Sequence, residues 1–251
     1  MKHILGRVRR AVEDYNMIEE GDKIAVALSG GKDSITLLKA LKTLQIFYPK
    51  HFELIAISVN PGFEYFDEAF LQNICDSVGV PLFIERYDIK DIIFNDRKEK
   101  NPCSLCANLR RGILNSAAIR ENCNKLALGH NQDDVLETFL MNFFYAGNLS
   151  TFGPANHMSR SNITAIRPLI YVTEKDTKNF IKRSGLSAMP KVCPMDGNST
   201  REDMKNLIYS LSNKLPYIRS NMLGAIERNY INGWKAPNKN NSKIDKNKEL
   251  N

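Results

Sequence analysis

Ile24-Ala25-Val26-Ala27-Leu28-Ser29-Gly30-Gly31-Lys32-Asp33-Ser34 is the stretch whose reading decides the fold. Five apolar residues read as a buried strand, the glycine pair as a tight turn, and Ile35–Phe47 behind it as a helix. Adjacent glycines let an anion approach the backbone N–H groups closely. The N-terminus of the following helix adds partial positive charge and unsatisfied donors. Lys32 and the hydroxyls of Ser29 and Ser34 supply further donors, and Asp33 and Ser34 suit a helix start. A strand, glycine turn and helix of this make-up is a phosphate cradle.

It is not the commonest one. The pattern G-x-x-x-x-G-K-[ST] would require Gly at 26 and Ser or Thr at 33, where this chain has Val26 and Asp33. The dinucleotide pattern G-x-G-x-x-G fails as well. Ser29–Ser34 instead resembles the S-G-G-x-D-S signature of the ATP pyrophosphatase (PP-loop) superfamily, whose members split ATP between the α and β phosphates.

Outward from the loop, strands are expected at Ile24–Leu28, Leu54–Val59, Leu82–Glu85, Lys125–Leu128 and Thr164–Arg167. Helices are expected at Ile4–Tyr15, Ile35–Phe47, Phe66–Val78, Leu105–Glu121, Val135–Tyr145 and Glu174–Ser184. This alternation predicts an α/β fold: a doubly wound, mostly parallel five-stranded sheet with extra N- and C-terminal helices. Ligands of such sheets bind at the carboxyl ends of the strands, where Ser29, Ser58, Asn60 and Gly129 fall. The Ser199–Glu202 capping pattern opens a helix to about Ser212, and another follows Pro216 to about Tyr230. The expected organisation is a basic N-terminal helix (1–20), an ATP-binding α/β domain (21–190), C-terminal helices (191–235) and a disordered Asn/Lys-rich tail (236–251).

The 251 residues suffice for one large domain with a full core. A net charge of +7 fits an anionic partner without naming it. Met1–Arg10 lacks the apolar run of a signal peptide, and no apolar stretch is long enough to span a membrane, so a cytoplasmic location is expected. Five cysteines, an odd number, argue against a disulfide framework and for metal or catalytic roles. Cys103 and Cys106 form a C-x-x-C at the mouth of a helix, which lowers thiol pKa values. From spacing alone this pair fits a redox dithiol, half of a zinc site, part of an iron–sulfur site, or chance. Cys193 lies in a Pro/Gly-containing loop, Cys75 reads as core, and Cys123 sits in a turn with no role assigned.

The whole chain from about Gly6 to Tyr230 resembles the bacterial tRNA 2-thiocytidine biosynthesis family, within the PP-loop superfamily of adenine nucleotide α-hydrolase-like fold. The resemblance rests on Ser29–Ser34, on Pro102–Cys106 followed by Asn108–Leu114, on Leu126–Asp134, on Ile166–Leu169 and on Cys193-Pro194. It implies a [4Fe–4S] cluster held by Cys103, Cys106 and Cys193, with one iron left open for sulfur delivery. Some relatives have a second C-x-x-C at the third cysteine, where this chain has Cys193-Pro194-Met195-Asp196. It also implies an ATP-dependent tRNA sulfurtransferase acting most plausibly on cytidine 32, with sulfur from a cysteine desulfurase or free sulfide, and a homodimer.

The expected ATP site comprises Ala27, Ser29, Gly30, Gly31, Lys32, Asp33, Ser34, Ser58, Gly129, His130 and Asp133. Asp33 and Asp133 are the candidate Mg²⁺ carboxylates, since Mg²⁺ takes carboxylate and phosphate oxygens together. Lys32, Asp33, Asp133 and Arg110 are the candidate catalytic residues. The acid pair after Gln132 also fits simple helix capping, and His130 fits either a neutral hydrogen-bonded residue or an acid–base group. Arg7, Arg10, Arg110 and Arg111 are candidates for the tRNA backbone, the alternative for the last two being a solvated helix face. Rival readings are a 2-thiouridine synthetase or lysidine-type ligase, a non-catalytic iron–sulfur tRNA-binding protein, and a zinc-stabilised enzyme using ATP on a small molecule. The paired-cysteine zinc fingers of thiouridine relatives are absent from the sequence.

Overall fold

The sheet winds in both directions from the strand that feeds the glycine turn. In the computed structural model, which describes residues 1–64, 66–93, 102–190 and 200–235 (without the side chains of 102 and 103), that strand is β1 (Asp22–Ala27). It pairs in parallel with β2 (Phe52–Asn60) on one side and β4 (Lys125–Ala127) on the other. β3 (Leu82–Arg86) extends the sheet beyond β2, and β6 (Ile163–Ile166) extends it beyond β4, both in parallel. The order is β3-β2-β1-β4-β6, with β5 (Ala155–Met158) at the edge beyond β6, so the winding reverses between β1 and β4. That reversal is where a doubly wound sheet opens its ligand crevice.

One strand was not expected. β5 (Ala155–Met158) lies antiparallel against β6 at the sheet edge, making six strands rather than five. Its Ala-Asn-His-Met sequence has no β-branched residue and no fully buried position, so neither propensity nor alternation marks it.

Side chains on β1 alternate between two cores, as the two-residue period of a strand requires. Ile24 and Val26 face the larger core with Leu37, Leu38 and Leu41 of α2 (Lys32–Leu44). Ala25 faces the other with Ala117 and Ala118 of α5 (Pro102–Arg120). Between them lie α3 (Glu68–Val78) and the single turn α4 (Ile89–Asp91). α6 (Gln132–Ala146) and α7 (Glu174–Arg183) complete the α/β body, followed by α8 (Thr200–Lys214) and α9 (Ile218–Arg228).

The terminal helices are part of the same core. Val8, Ala11 and Val12 of α1 (Lys2–Asp14) are completely buried. Burying each valine is worth about 1.5–3 kcal/mol. Ile226 of α9 and Trp234 are buried in that core too. No described helix is long and apolar enough to cross a membrane. The expected tail (236–251) and the capping residue Ser199 lie outside the described residues.

Candidate active site

Three helices point their N-termini at the crevice between β1 and β4. α2 starts at Lys32, three residues earlier than its apolar pattern suggested, because Gly31 is its cap. That cap offers no side chain to the helix, so α2's first N–H groups meet no capping side chain and remain suited to an anion. Gly30 holds the turn with φ +78°, a conformation that favours glycine. The Ser34 hydroxyl donates to the Gly31 carbonyl at 2.9 Å and accepts from the Ser29 N–H at 3.2 Å, closing the loop on itself. Ala27 ends β1 directly before it. Gly129 packs against the start of α2; a Cβ there would lie 3.2 Å from the Ser34 nitrogen. The two turns therefore touch across the switch point, and a side chain at 129 would have to push the start of α2 back by a few tenths of an ångström.

α6 begins beside α2. Asn131 caps it, and Asp134 reaches back to the Asn131 N–H at 2.9 Å to complete a capping box. The two acids thus divide: Asp134 serves the helix start, while Asp133 turns into the site. Asp133 accepts from the Glu174 N–H at 2.7 Å and from Arg219 of α9. Asp33 accepts from the Thr177 hydroxyl at 2.6 Å and from Lys32 at 2.7 Å. Through these bonds the α7 N-terminus is fixed against those of α2 and α6. The two candidate Mg²⁺ carboxylates are both carried in this cluster.

Lys32 is joined there by cations the sequence did not single out. Lys32, Lys178 and Lys205 all reach the Glu174 carboxylate, at 3.2, 3.1 and 3.1 Å. Burial alone would raise the Glu174 pKa, but Lys32, Lys178 and Lys205 override it and bring it down to about 2. Arg201 of α8 pairs with Asp134 at 3.0 Å. Nothing in the local sequence marks Lys178, Lys205 or Arg201, so only the tertiary structure reveals them.

His130 is half-buried and held neutral. Desolvation first, with the positive charges of Arg167, Arg201 and Arg111 adding to it, lowers its pKa to about 3. Its ring lies 4.9 Å from that of Phe152, and its Nδ1 has no hydrogen-bond partner among the described residues. A neutral imidazole with a free nitrogen is a hydrogen-bonding group, not a proton reservoir, at neutral pH. Ser58, at the end of β2, likewise carries a buried hydroxyl without a described partner. Arg167 binds the Gly153 carbonyl at 2.6 Å and Asn156 at 2.8 Å, which positions it beside His130.

The cysteine helix approaches from the opposite face. Cys103 and Cys106 lie one turn apart at the start of α5, and Cys106 is half-buried against the side of the small cluster of Val59, Ile89 and Ile93. Cys193 lies outside the described residues, yet both flanks of its loop are fixed. On one side the Met189 N–H donates to the Gly30 carbonyl at 2.9 Å. On the other, Arg201 holds Asp134. Two thiols one turn apart at a helix start are donors of the kind an iron–sulfur cluster takes, and Met189, four residues before Cys193, is bonded to the glycine turn. Cys75 and Cys123 are buried, and burial pushes both thiols up to about 11, as suits inert core residues.

The candidate nucleic-acid residues separate. Arg7 is committed to Asp176 at 2.9 Å and the Tyr171 carbonyl at 3.1 Å, pinning α1 to α7. Arg10 stacks over the Tyr171 ring at 4.8 Å and reaches Asp14. Arg110 and Arg111 follow the thiols on α5, Arg110 half-buried and Arg111 exposed. Arg111 is near enough to depress the pKa values of both His130 and Arg167.

A family profile described as a PP-loop domain matches residues 2–206, most of the chain. A tRNA-cytidine(32) 2-sulfurtransferase from Syntrophotalea carbinolica is 43% identical over 220 residues, 86% of this chain and 85% of the relative. Its counterpart from Geotalea uraniireducens is 40% identical over 226 residues, 89% of this chain and 90% of the relative. The chain belongs to the PP-loop family, among the tRNA-cytidine(32) 2-sulfurtransferases. Among solved structures, the U34-tRNA thiolase NcsA from Methanococcus maripaludis, determined with its [4Fe-4S] cluster, matches with TM-score 0.73 and 27% identity over 89% of this chain and 77% of that one. The NH3-dependent NAD synthetase of Campylobacter jejuni shares the fold at TM-score 0.50 and 15% identity, covering 94% of this chain and 97% of that one.

Proposed function

We propose that the protein is an ATP-dependent tRNA thiolase that replaces the C2 oxygen of cytidine 32 by sulfur, as the names of its relatives indicate for them. The observation that carries this reading is the meeting of three helix N-termini with Lys32, Asp33 and Asp133 at one switch point, beside the Cys103–Cys106 helix.

The base carbonyl oxygen attacks the α-phosphorus of ATP; the bond to the bridging oxygen breaks, and pyrophosphate leaves with the electron pair. Gly30, Gly31 and the α2 N-terminus hold the charge that grows on the leaving group, with Lys32 as the closest ammonium. Asp33 and Asp133, both carboxylates of this cluster, are the residues we assign to Mg²⁺. Ser58 lies at the strand end suited to the adenine, and the unpartnered Nδ1 of His130 is available to the nucleotide. Sulfide then adds at C2 of the adenylated base, and AMP departs with the original oxygen. A [4Fe–4S] cluster on Cys103, Cys106 and Cys193 would supply the position from which sulfur is presented. Arg110 and Arg111 follow the thiols on the same helix, and the charge of Arg111 is felt at His130, which supports a role for them against the RNA backbone and for Arg110 near the base. A flipped anticodon-loop base is accessible to such a pocket. Sulfur arrives from free sulfide or a cysteine desulfurase in the cytoplasm. The exposed Phe144, Tyr145 and Leu149 at the end of α6 offer a surface for a homodimer.

The test combines anaerobically reconstituted protein, ATP, sulfide and unmodified tRNA, followed by nucleoside mass spectrometry and nucleotide analysis. Formation of 2-thiocytidine with equimolar AMP and pyrophosphate is expected. 2-Thiouridine instead, or ADP and phosphate, would refute the reading.

A further inference from the structure

We propose that Glu174 is a resident anion of the phosphate cradle, whose carboxylate stands in for the β and γ phosphates and is exchanged for them when ATP binds. The inference rests on the reading of this crevice as an ATP pyrophosphatase site.

The geometry is that of a bound phosphate group. Three ammoniums, from α2, α7 and α8, converge within 3.2 Å of one carboxylate. One of them is Lys32 of the glycine turn itself. Glu174 opens α7, so its own backbone N–H lies in the positive field of a helix N-terminus and is already given to Asp133. Only 18% of the Glu174 side chain is exposed, and Lys32 shares its charge between Asp33 and Glu174. A lone lysine trio in a half-buried crevice would repel itself, and an internal carboxylate relieves that repulsion while the site is empty of ligand.

The exchange has a chemical consequence. An incoming triphosphate brings more negative charge than the carboxylate and displaces it, gaining all three ammoniums at once. Lys178 and Lys205 thereby become pyrophosphate-binding residues alongside Lys32. After adenylation the sequence reverses: the carboxylate returns as competitor for the lysines and favours departure of free pyrophosphate. AMP, which lacks the β and γ phosphates, does not compete with Glu174.

The test is calorimetric titration of the full-length protein and its E174Q variant with inorganic pyrophosphate, ATP and AMP, with and without Mg²⁺. In E174Q, pyrophosphate and ATP should bind about tenfold more tightly without Mg²⁺, since a directly competing ion pair has been removed. AMP affinity should stay within about twofold. The variant without ligand should melt lower than the parent, with a larger rise in Tm on adding pyrophosphate. Unchanged or weaker pyrophosphate binding without Mg²⁺ would overturn the proposal, as would an equal gain for AMP. A loss confined to Mg²⁺-containing buffer would make Glu174 a metal ligand and also overturn it. If the parent bound neither ATP nor AMP, the nucleotide-site reading itself would fall. Should E174Q not fold, K205Q must lower pyrophosphate affinity several-fold with AMP binding unchanged; no change overturns the inference.

Discussion

Glu137 makes a sharp claim about the charge balance under the site. It lies on α6 one turn after Asp133 and Asp134, and its side chain is buried. Burial above all, with the Asp134 charge adding and Arg201 opposing, raises its carboxyl pKa from an ordinary 4.5 to about 7. Each pH unit of such displacement corresponds to about 1.4 kcal/mol. The ceiling is therefore about 3 kcal/mol, and relaxation around the buried acid leaves about 1–2 kcal/mol as the working figure. Between pH 4.5 and about 7 the folded chain holds a proton that the unfolded chain has released. Stability from this group is thus fully present below 4.5 and is lost as pH rises through about 7.

Glu137→Gln keeps the size and removes the titration. Parent and variant should melt within a degree or two of each other near pH 5. At pH 8 the variant should be the more stable, by about 3–6 °C for a chain of this size. Thermal melts across pH 5–8, compared as a difference, cancel distant titrating groups such as Glu227, itself raised by burial to about 6. A pH-independent difference would show that Glu137 is ionised in the fold, with Arg201 shared between two carboxylates.

Cys103→Ala and Cys193→Ala should each lose iron and acid-labile sulfide after anaerobic reconstitution while the far-ultraviolet spectrum and ATP binding persist; a full complement of four irons in either would remove that residue from the ligand set. Arg7→Ala should lower Tm through loss of the α1–α7 pin, costing about 1–2 kcal/mol, without changing tRNA affinity. Arg111→Ala should instead weaken tRNA binding and flatten its salt dependence, with Tm nearly unchanged. Asp33→Ala should abolish pyrophosphate release while retaining the cluster, and full activity there would remove Asp33 from the site.

What could be read in the chain depended on how local its physics is. Ser29–Ser34 was legible because glycine turn, lysine and helix start are fixed by neighbours in sequence. The parallel strands were legible because buried runs such as Leu54–Val59 have no polar face. β5 was not, because a four-residue polar edge strand is held by its partner and not by its own residues. Arg7 and Arg10 looked like a basic patch since helical spacing shows charge but not the Asp176 and Tyr171 that absorb it. Lys205, Arg201 and Arg219 lie beyond the apolar core pattern, and nothing local distinguishes them from solvated cations. Their role is created by the way α8 and α9 fold back over α6.

That fold-back ties α8 and α9 to the mouth of α6. Asp133 and Asp134, two adjacent residues at the mouth of α6, are held by Arg219 of α9 and Arg201 of α8. Residue 201 closely follows the Cys193 loop, and Met189, which precedes that loop, is bonded to Gly30 of the phosphate turn. A Cβ on Gly30 would press on the Met189 side chain, and the φ of +78° at Gly30 favours glycine as well. A ligand that draws Gly30 towards itself therefore pulls on Met189, and one that disturbs Asp134 pulls on Arg201, the described residues on either side of Cys193. Hydrogen bonds to charged groups are worth about 1.5–3 kcal/mol. Even a partial exchange of the Arg201 and Arg219 contacts on nucleotide binding is then large enough to move cluster retention by roughly tenfold. Iron release to a chelator, followed with and without ATP, measures that coupling, and identical rates would show that the two sites share a scaffold but no free energy.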